Sequence, residues 1–169
     1  MTLHPYRSFG AARRAWLIAC LLVAACAAPL FAAAPPAAIP WTHLSSADGS
    51  LPVPLPGDQQ TACLLADIDG DGAEDIFIAD RTQKPSLVCL MFDGGQWTRM
   101  IIDAEPLSIE ASGAAADIDG DGDLDVTFAG DSKSNQVWWW ENPSPALDPE
   151  TPWKRRLIKN DGANKHHHQ

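Results

Sequence analysis

The sequence predicts an all-β fold in which two four-stranded antiparallel sheets follow an N-terminal export segment. Three observations lead to this prediction. A nine-residue acidic segment at residues 67–75 returns fifty residues later at residues 117–125. Short runs of β-branched and aromatic residues follow both copies, which is typical of strands. Turn residues separate further apolar runs, and strands joined in sequence in this way form antiparallel meanders.

The first sheet is predicted within residues 61–111, where four apolar runs alternate with turns. Its strands are expected at residues 61–66, 75–79, 86–92 and 96–102. The second sheet is predicted within residues 112–160. Its strands are expected at residues 113–116, 125–130, 137–141 and 153–158. Several of these strands are apolar on both faces, which indicates sheets that are covered on both sides, as sheets packed face to face would be.

The segment that precedes the first sheet, residues 35–60, is expected to be a proline-rich lead-in with one short strand at residues 41–44. Prolines at alternate positions in residues 51–56 exclude that run from the interior of a sheet, because each proline removes a ladder donor. Residues 161–169 are expected to begin a further repeat. Two sheets of this kind leave large apolar faces without neighbours, so the sequence predicts either a fragment of a longer reading frame or an assembly with other chains.

Residues 1–34 have the layout of a secretory signal, with three arginines before an apolar run and a small-residue stretch after it. The alternative is a lipoprotein signal that ends before Cys26, whose thiol would then be acylated. Either interpretation predicts an exported protein that is secreted, periplasmic or held at the cell surface. A lipid anchor at Cys26 is the one predicted contact with a membrane.

The charge balance is strongly acidic. Loss of residues 1–34 would remove three of the 12 basic residues and none of the 22 acids, so the net charge would move from -10 to -13. Nine aspartates lie in the two repeated segments, and bound cations would offset much of that excess. The chain has no basic patch, which argues against a nucleic-acid partner.

Cys63 and Cys89 fall on the first and third predicted strands of one sheet. Their separation would be roughly 10 Å with one strand between them, which is beyond the span of a disulfide. We therefore expect two buried free thiols. The run Trp138-Trp139-Trp140 has two interpretations: a platform that stacks against sugar rings, or aromatic packing between neighbouring sheets, which the sequence favours.

Each acidic segment places carboxylates at its first, third, fifth and ninth positions and glycines at its fourth and sixth. So many acids close together repel one another unless a cation lies among them. Oxygen ligands without histidine or cysteine favour Ca²⁺. An EF-hand would need a glutamate at position 12 and flanking helices, whereas position 12 is Ile78 in one copy and Phe128 in the other.

A D-x-D-x-D-G loop between two strands resembles the calcium loop of FG-GAP/VCBS repeats, the blades of integrin-α-like β-propellers. This resemblance implies a partial β-propeller with two Ca²⁺ sites. The implied ligands of the first site are the side chains of Asp67, Asp69, Asp71 and Asp75 and the backbone carbonyl of Ala73. Those of the second site are the side chains of Asp117, Asp119, Asp121 and Asp125 and the carbonyl of Asp123.

The resemblance implies an exported calcium-binding propeller segment with a scaffolding, adhesion or ligand-binding role, and carbohydrate or protein ligands at the cell surface. No catalytic constellation stands out in the sequence, which favours a protein that is not an enzyme. The alternative is the N-terminal part of a secreted carbohydrate-active enzyme of the polysaccharide-lyase type, built on the same propeller. A dockerin-like module is a third possibility and would require a helix after each loop.

Overall fold

The computed structural model describes residues 38–131 and 134–161, apart from the side chains of residues 111 and 112. The chain separates into a unit of residues 1–41 and a unit of residues 42–169. Only residues 38–41 of the first unit are described, and they have no regular secondary structure. The predictions for residues 1–34, for the Cys26 anchor and for a further repeat after residue 161 lie outside the described residues.

The second unit consists of strands joined by loops and turns. The strands are β1 (Gln60–Ala66), β2 (Asp75–Asp80), β3 (Leu87–Phe92), β4 (Trp97–Asp103), β5 (Ile109–Ala116), β6 (Asp125–Gly130), β7 (Val137–Glu141) and β8 (Lys154–Lys159). β1 to β4 form one antiparallel sheet in sequence order, and β5 to β8 form another. No helix in the described ranges has the length and apolar character needed to cross a membrane. The prediction of two four-stranded antiparallel sheets is therefore confirmed.

Two expectations about strand positions are wrong. No strand forms at residues 41–44, because the chain closes a turn immediately afterwards, in which the Leu51 amide donates to the Ser45 carbonyl and the Ser50 hydroxyl to the Asp48 carboxylate. β5 begins at Ile109, four residues before the predicted start of this strand. Its irregular register with β6 lets this more polar stretch stay paired.

The core lies between the two sheets. Phe77 on β2 is fully buried and faces Trp153, with ring centroids 6.2 Å apart in an edge arrangement. Phe128 on β6 meets Trp140 on β7 in the same way, at 6.1 Å. Alternation along β7 buries Trp138 and Trp140 in this core and leaves Trp139 half-buried on the opposite face. This burial agrees with the packing interpretation of Trp138 and Trp140.

The outer edge of the first sheet is covered by the long loop between β7 and β8. The Ile101 amide donates to the Pro149 carbonyl at 2.9 Å, and the Trp153 amide donates to the Ile102 carbonyl at 3.0 Å. Both β4 groups would otherwise face solvent without a ladder partner. The loop therefore fastens the second sheet to the last strand of the first.

The inner strands β1 and β5 also lie against each other, and the Thr61 hydroxyl donates to the Ile109 carbonyl at 2.6 Å. The proline-rich lead-in contacts the far face of the first sheet, where Arg99 Nε donates to the Pro54 carbonyl at 2.7 Å and Leu55 is buried. Sheets covered in this way are consistent with adjacent propeller blades, although the described residues do not close a ring.

The two cysteines are free, as expected. Cys89 is buried, but Cys63 is exposed, so the expectation of two buried thiols is wrong for Cys63. Cys63 pairs with Ile78, and together with their neighbours they line an open pocket of about 350 Å³. The side of β1 that carries Cys63 has no sheet packed against it in the described part of the chain, which explains the exposure.

Candidate metal centres

Each acidic loop joins the first two strands of its sheet. Ala66 at the end of β1 pairs with Asp75 at the start of β2, and Ala116 pairs with Asp125 in the same way. The ladder therefore brings the two ends of each loop together, and the intervening residues must turn tightly. Gly72, with φ of 92°, supplies a backbone conformation that residues with a Cβ rarely adopt. A dockerin-like or EF-hand arrangement is excluded, because both loops are flanked by strands.

In the first loop Asp67, Asp69 and Asp71 come together. Each can offer one carboxylate oxygen, and these oxygens lie within 4.8 Å of one another. The loop backbone holds all three side chains in place: Asp67 accepts from the Gly72 amide at 3.0 Å, Asp69 from the Asp71 amide at 3.2 Å and Asp71 from the Ala73 amide at 2.8 Å. Each of these bonds uses one carboxylate oxygen, which leaves the other oxygen of each aspartate for a cation.

Asp67 Oδ1 gives a direct test of whether this loop fits a cation. This oxygen is buried and has no hydrogen-bond partner among the described residues. A buried carboxylate oxygen without a donor carries a large desolvation cost, and a bound cation would remove that cost. The donor set is entirely oxygen, as hard cations such as Ca²⁺ prefer. The residues of the first loop therefore fit a calcium ion.

In the second loop Asp117, Asp119 and Asp125 come together, again with one oxygen of each within 4.8 Å of the others. The loop also carries an additional acid, Asp123, where the first loop has Ala73. One oxygen of Asp123 is buried without a partner among the described residues. The second loop therefore has the same unmet need for positive charge as the first.

Electrostatics in the second loop support this need. Desolvation and the negative charges of Asp121, Asp125 and Asp119 raise the pKa of Asp123 to about 6, and the Asp121 side chain also bonds to it. The pKa of Asp119 is raised by desolvation and by the charges of Asp121 and Asp125. A metal-free loop thus holds protons more tightly than free carboxylates do. A divalent cation would replace those protons and restore the charged forms.

The aspartates at the ninth position of each loop have a role that the sequence alone did not reveal. Asp75 is almost fully buried, and its two oxygens accept from the Ile68 amide at 3.0 Å and from the Phe92 amide at 2.9 Å. Burial raises its pKa in spite of these bonds. Asp125 makes the equivalent hydrogen bonds in the second sheet, where it accepts from the Ile118 and Asn142 amides. Each of these aspartates ties the start of its loop to the end of the third strand of its sheet.

The geometry thus brings together three of the predicted ligands in each loop. Ligation by every predicted group, including the Asp75 and Asp121 side chains and the carbonyls of Ala73 and Asp123, stays a prediction. Sequence reasoning also missed Asn142, a buried residue that contacts both loops. Its position between the tryptophan run and Pro143 was the one available signal, and it does not reveal contacts 74 residues away.

Comparison with known proteins agrees with this geometry. Residues 67–128 match the family model of the FG-GAP-like repeat. The match begins at the first aspartate of the first loop, includes all of the second loop and ends within β6. It covers a little over a third of the chain and confirms the predicted resemblance over that segment. Comparison with curated proteins and with solved structures gave no match.

Proposed function

We propose, starting from the FG-GAP-like repeat at residues 67–128, that this chain is an exported calcium-binding β-propeller segment with a scaffolding, adhesion or ligand-binding role. The observation that supports calcium binding most strongly is the pair of carboxylate clusters, each accompanied by a buried oxygen that has no donor among the described residues. The signal-like pattern of residues 1–34 supports export.

Calcium has a structural role in this proposal. Each loop joins the first two strands of a sheet, so an ion held by the loop fixes the register of those strands. Extracellular calcium modules bind with Kd of about 10⁻⁴ to 10⁻³ M. At a calcium concentration of about ten times Kd, one site stabilises the folded state by about 1.4 kcal/mol and two sites by about 3 kcal/mol.

A melting experiment tests the proposal. The double variant Asp69→Ala with Asp119→Ala removes one carboxylate from each cluster. Its Tm should be lower than that of the native chain in millimolar calcium and should not change when a chelator is added. Asp58→Ala, which changes an exposed aspartate outside the loops, is the matched control and should keep the calcium response. A native chain that melts at the same temperature in chelator and in calcium would refute the proposal.

The ligand-binding role has its own test. We propose that the chain binds carbohydrate or protein ligands at the cell surface and that calcium keeps the binding scaffold rigid. Binding of the native chain to a glycan array and to intact cells should be measured in calcium and in chelator. Binding that is saturable and is lost in chelator would support this role. Calcium binding without any such binding would favour a purely scaffolding role.

A further inference from the structure

Asn142, the first residue after β7, is buried and makes four hydrogen bonds. Its backbone amide donates to Asp125 Oδ1 at 2.8 Å, and its side-chain oxygen accepts from the Ser144 amide at 3.0 Å. Its side-chain nitrogen donates to two backbone carbonyls, those of Ile68 and Leu124, both at 3.0 Å. Every polar group of this side chain is therefore used.

The two carbonyls belong to different acidic loops. Ile68 follows the first aspartate of the first loop, and its own amide donates to Asp75. Leu124 precedes the last aspartate of the second loop. One amide nitrogen thus joins the backbones of two candidate metal centres that lie in different sheets. Ile68 is 2% exposed beneath this contact, whereas the equivalent Ile118 is 41% exposed.

The first sheet has no equivalent of this side-chain contact in the described residues. The equivalent residue of the first sheet is Phe92, whose backbone amide donates to Asp75 just as that of Asn142 donates to Asp125. The side chain of Phe92 instead packs on Trp97, with ring centroids 4.9 Å apart. The backbone bond therefore closes each loop, and the side chain is free to take another role. In the second sheet that role is the link to the first loop.

We propose that Asn142 couples the two acidic loops, so that an ion held in one loop raises the affinity of the other. The proposal rests on calcium binding as proposed above. An ion fixes the backbone of its loop, and Asn142 donates to both carbonyls only when the two loops have their ordered positions. Ordering one loop therefore lowers the cost of ordering the other, which is a coupling between sites. Asn142 acts as a positioning residue and contacts no ion itself.

Calcium titration by calorimetry of four full-length chains measures the coupling. The chains are the native protein, a variant whose second loop is disabled by Asp117→Asn with Asp119→Asn, the Asn142→Ala variant, and the combination of these changes. Disabling the second loop should weaken calcium binding at the first loop by about fivefold in the native background. In the Asn142→Ala background the same change should have less than about a twofold effect. The cycle cancels the long-range loss of negative charge, since that loss occurs in both backgrounds.

Thr61→Val is the matched control. It also removes a hydrogen bond from a side chain of one sheet to a carbonyl of the other, that between the Thr61 hydroxyl and Ile109, but it lies away from both loops. In this control background, disabling the second loop should still weaken binding at the first by about fivefold. Loss of coupling in Thr61→Val as well would overturn the specific role of Asn142, because any weakening of the sheet contact would then suffice.

Amide hydrogen exchange in chelator gives a readout that needs no metal. Asn142→Ala should speed exchange of the Ile68 amide by about tenfold or more relative to the Cys89 amide in the core of β3. Thr61→Val should leave this ratio unchanged. Normalising to Cys89 separates a local effect on the loop from a general loss of stability.

The outcomes separate the two proposals. Native loops that bind calcium independently of each other overturn the coupling and leave calcium binding intact. A native chain that binds no calcium refutes the proposed function. The exchange experiment then decides the structural link alone: selectively faster exchange at Ile68 supports a link between the loops through Asn142, and an unchanged ratio overturns it.

Discussion

Two buried tryptophans offer a test in which the same chemical change should have very different consequences for stability. Trp140 is fully buried, and its Nε1 donates to Asp103 Oδ2 at 2.8 Å. Trp153 is 5% exposed, and its Nε1 is buried without a partner among the described residues. Replacement by phenylalanine keeps an aromatic ring in both places and removes the indole N–H. The two variants therefore differ mainly in what that N–H was bonded to.

The expected magnitudes follow from these contacts. The smaller ring should cost about 1–2 kcal/mol at either site. Trp140→Phe also loses a hydrogen bond to a carboxylate, worth about 1.5–3 kcal/mol. Trp153→Phe instead removes a buried donor without a partner, which should return about 1–3 kcal/mol. We therefore expect Trp140→Phe to lower the free energy of unfolding by about 2.5–5 kcal/mol. Trp153→Phe should change it by an amount between a loss of about 1 kcal/mol and a gain of about 2 kcal/mol.

Urea denaturation followed by far-ultraviolet circular dichroism measures this difference without relying on the fluorescence of the residues that were changed. In a thermal melt followed by the same signal, the Tm values of the two variants should differ by at least about 6 °C. The m-values should match that of the native chain, since neither change alters the surface exposed on unfolding. Equal losses of stability in the two variants would refute the reasoning, because the hydrogen bond of Trp140 would then contribute nothing.

Three further predictions test other features of the fold. Gly113→Ala should destabilise the protein by about 1–3 kcal/mol, because its Cβ would lie 2.6 Å from an aromatic ring of β6; Gly95→Ala, where a Cβ has nothing within 4 Å, should have little effect in the same melting assay. In chelator, Asp123→Asn should raise the Tm at pH 7.5 and lose this advantage by pH 4. The folded state raises the pKa of Asp123 to about 6, so the charged carboxylate destabilises the fold at pH 7.5, and this cost disappears as the acid is protonated at lower pH. A constant difference in Tm across this range would contradict the argument. A maleimide should label Cys63 rapidly in the folded protein and leave Cys89 unlabelled, because Cys89 is buried and burial raises the pKa of its thiol; equal labelling of both thiols, followed by mass spectrometry of peptides, would be the contrary result.

Much of the fold could be predicted because its signals are local. The acidic loops mark the turn between the first two strands of each sheet, and β-branched and aromatic runs mark the strands themselves. β6 and β7 have the predicted bounds, and the strands of the first sheet differ from prediction by one residue at one or both ends. The start of β5 was missed because Glu110 and Ser112 interrupt its apolar pattern.

The candidate metal centres were predictable to a similar degree, and for the same reason. Three carboxylates that are close in sequence on a tight loop must also be close in space. The hydrogen bond that Asp75 accepts from the Phe92 amide could not be predicted, because Phe92 lies at the end of another strand. Asn142 was missed for a stronger reason. Its contact with Ile68 exists only after two separate sheets have packed together.

The exposure of Cys63 shows what a sequence pattern leaves undetermined. The apolar run of β1 predicts a strand that is buried on both faces. Ala62 and Ala66 are indeed buried, but Cys63 and Leu65 on the other face are exposed. Periodicity identifies a strand, but burial depends on which neighbours pack against each face.

Direct location of bound ions tests the central claim most clearly. Crystals of the native chain grown in calcium should show two anomalous difference peaks, one in each loop, at about 2.3–2.6 Å from carboxylate oxygens. The first peak should contact Asp67, Asp69 and Asp71, and the second should contact Asp117, Asp119 and Asp125. Loops that keep the described conformation in calcium but show no peak would contradict the account.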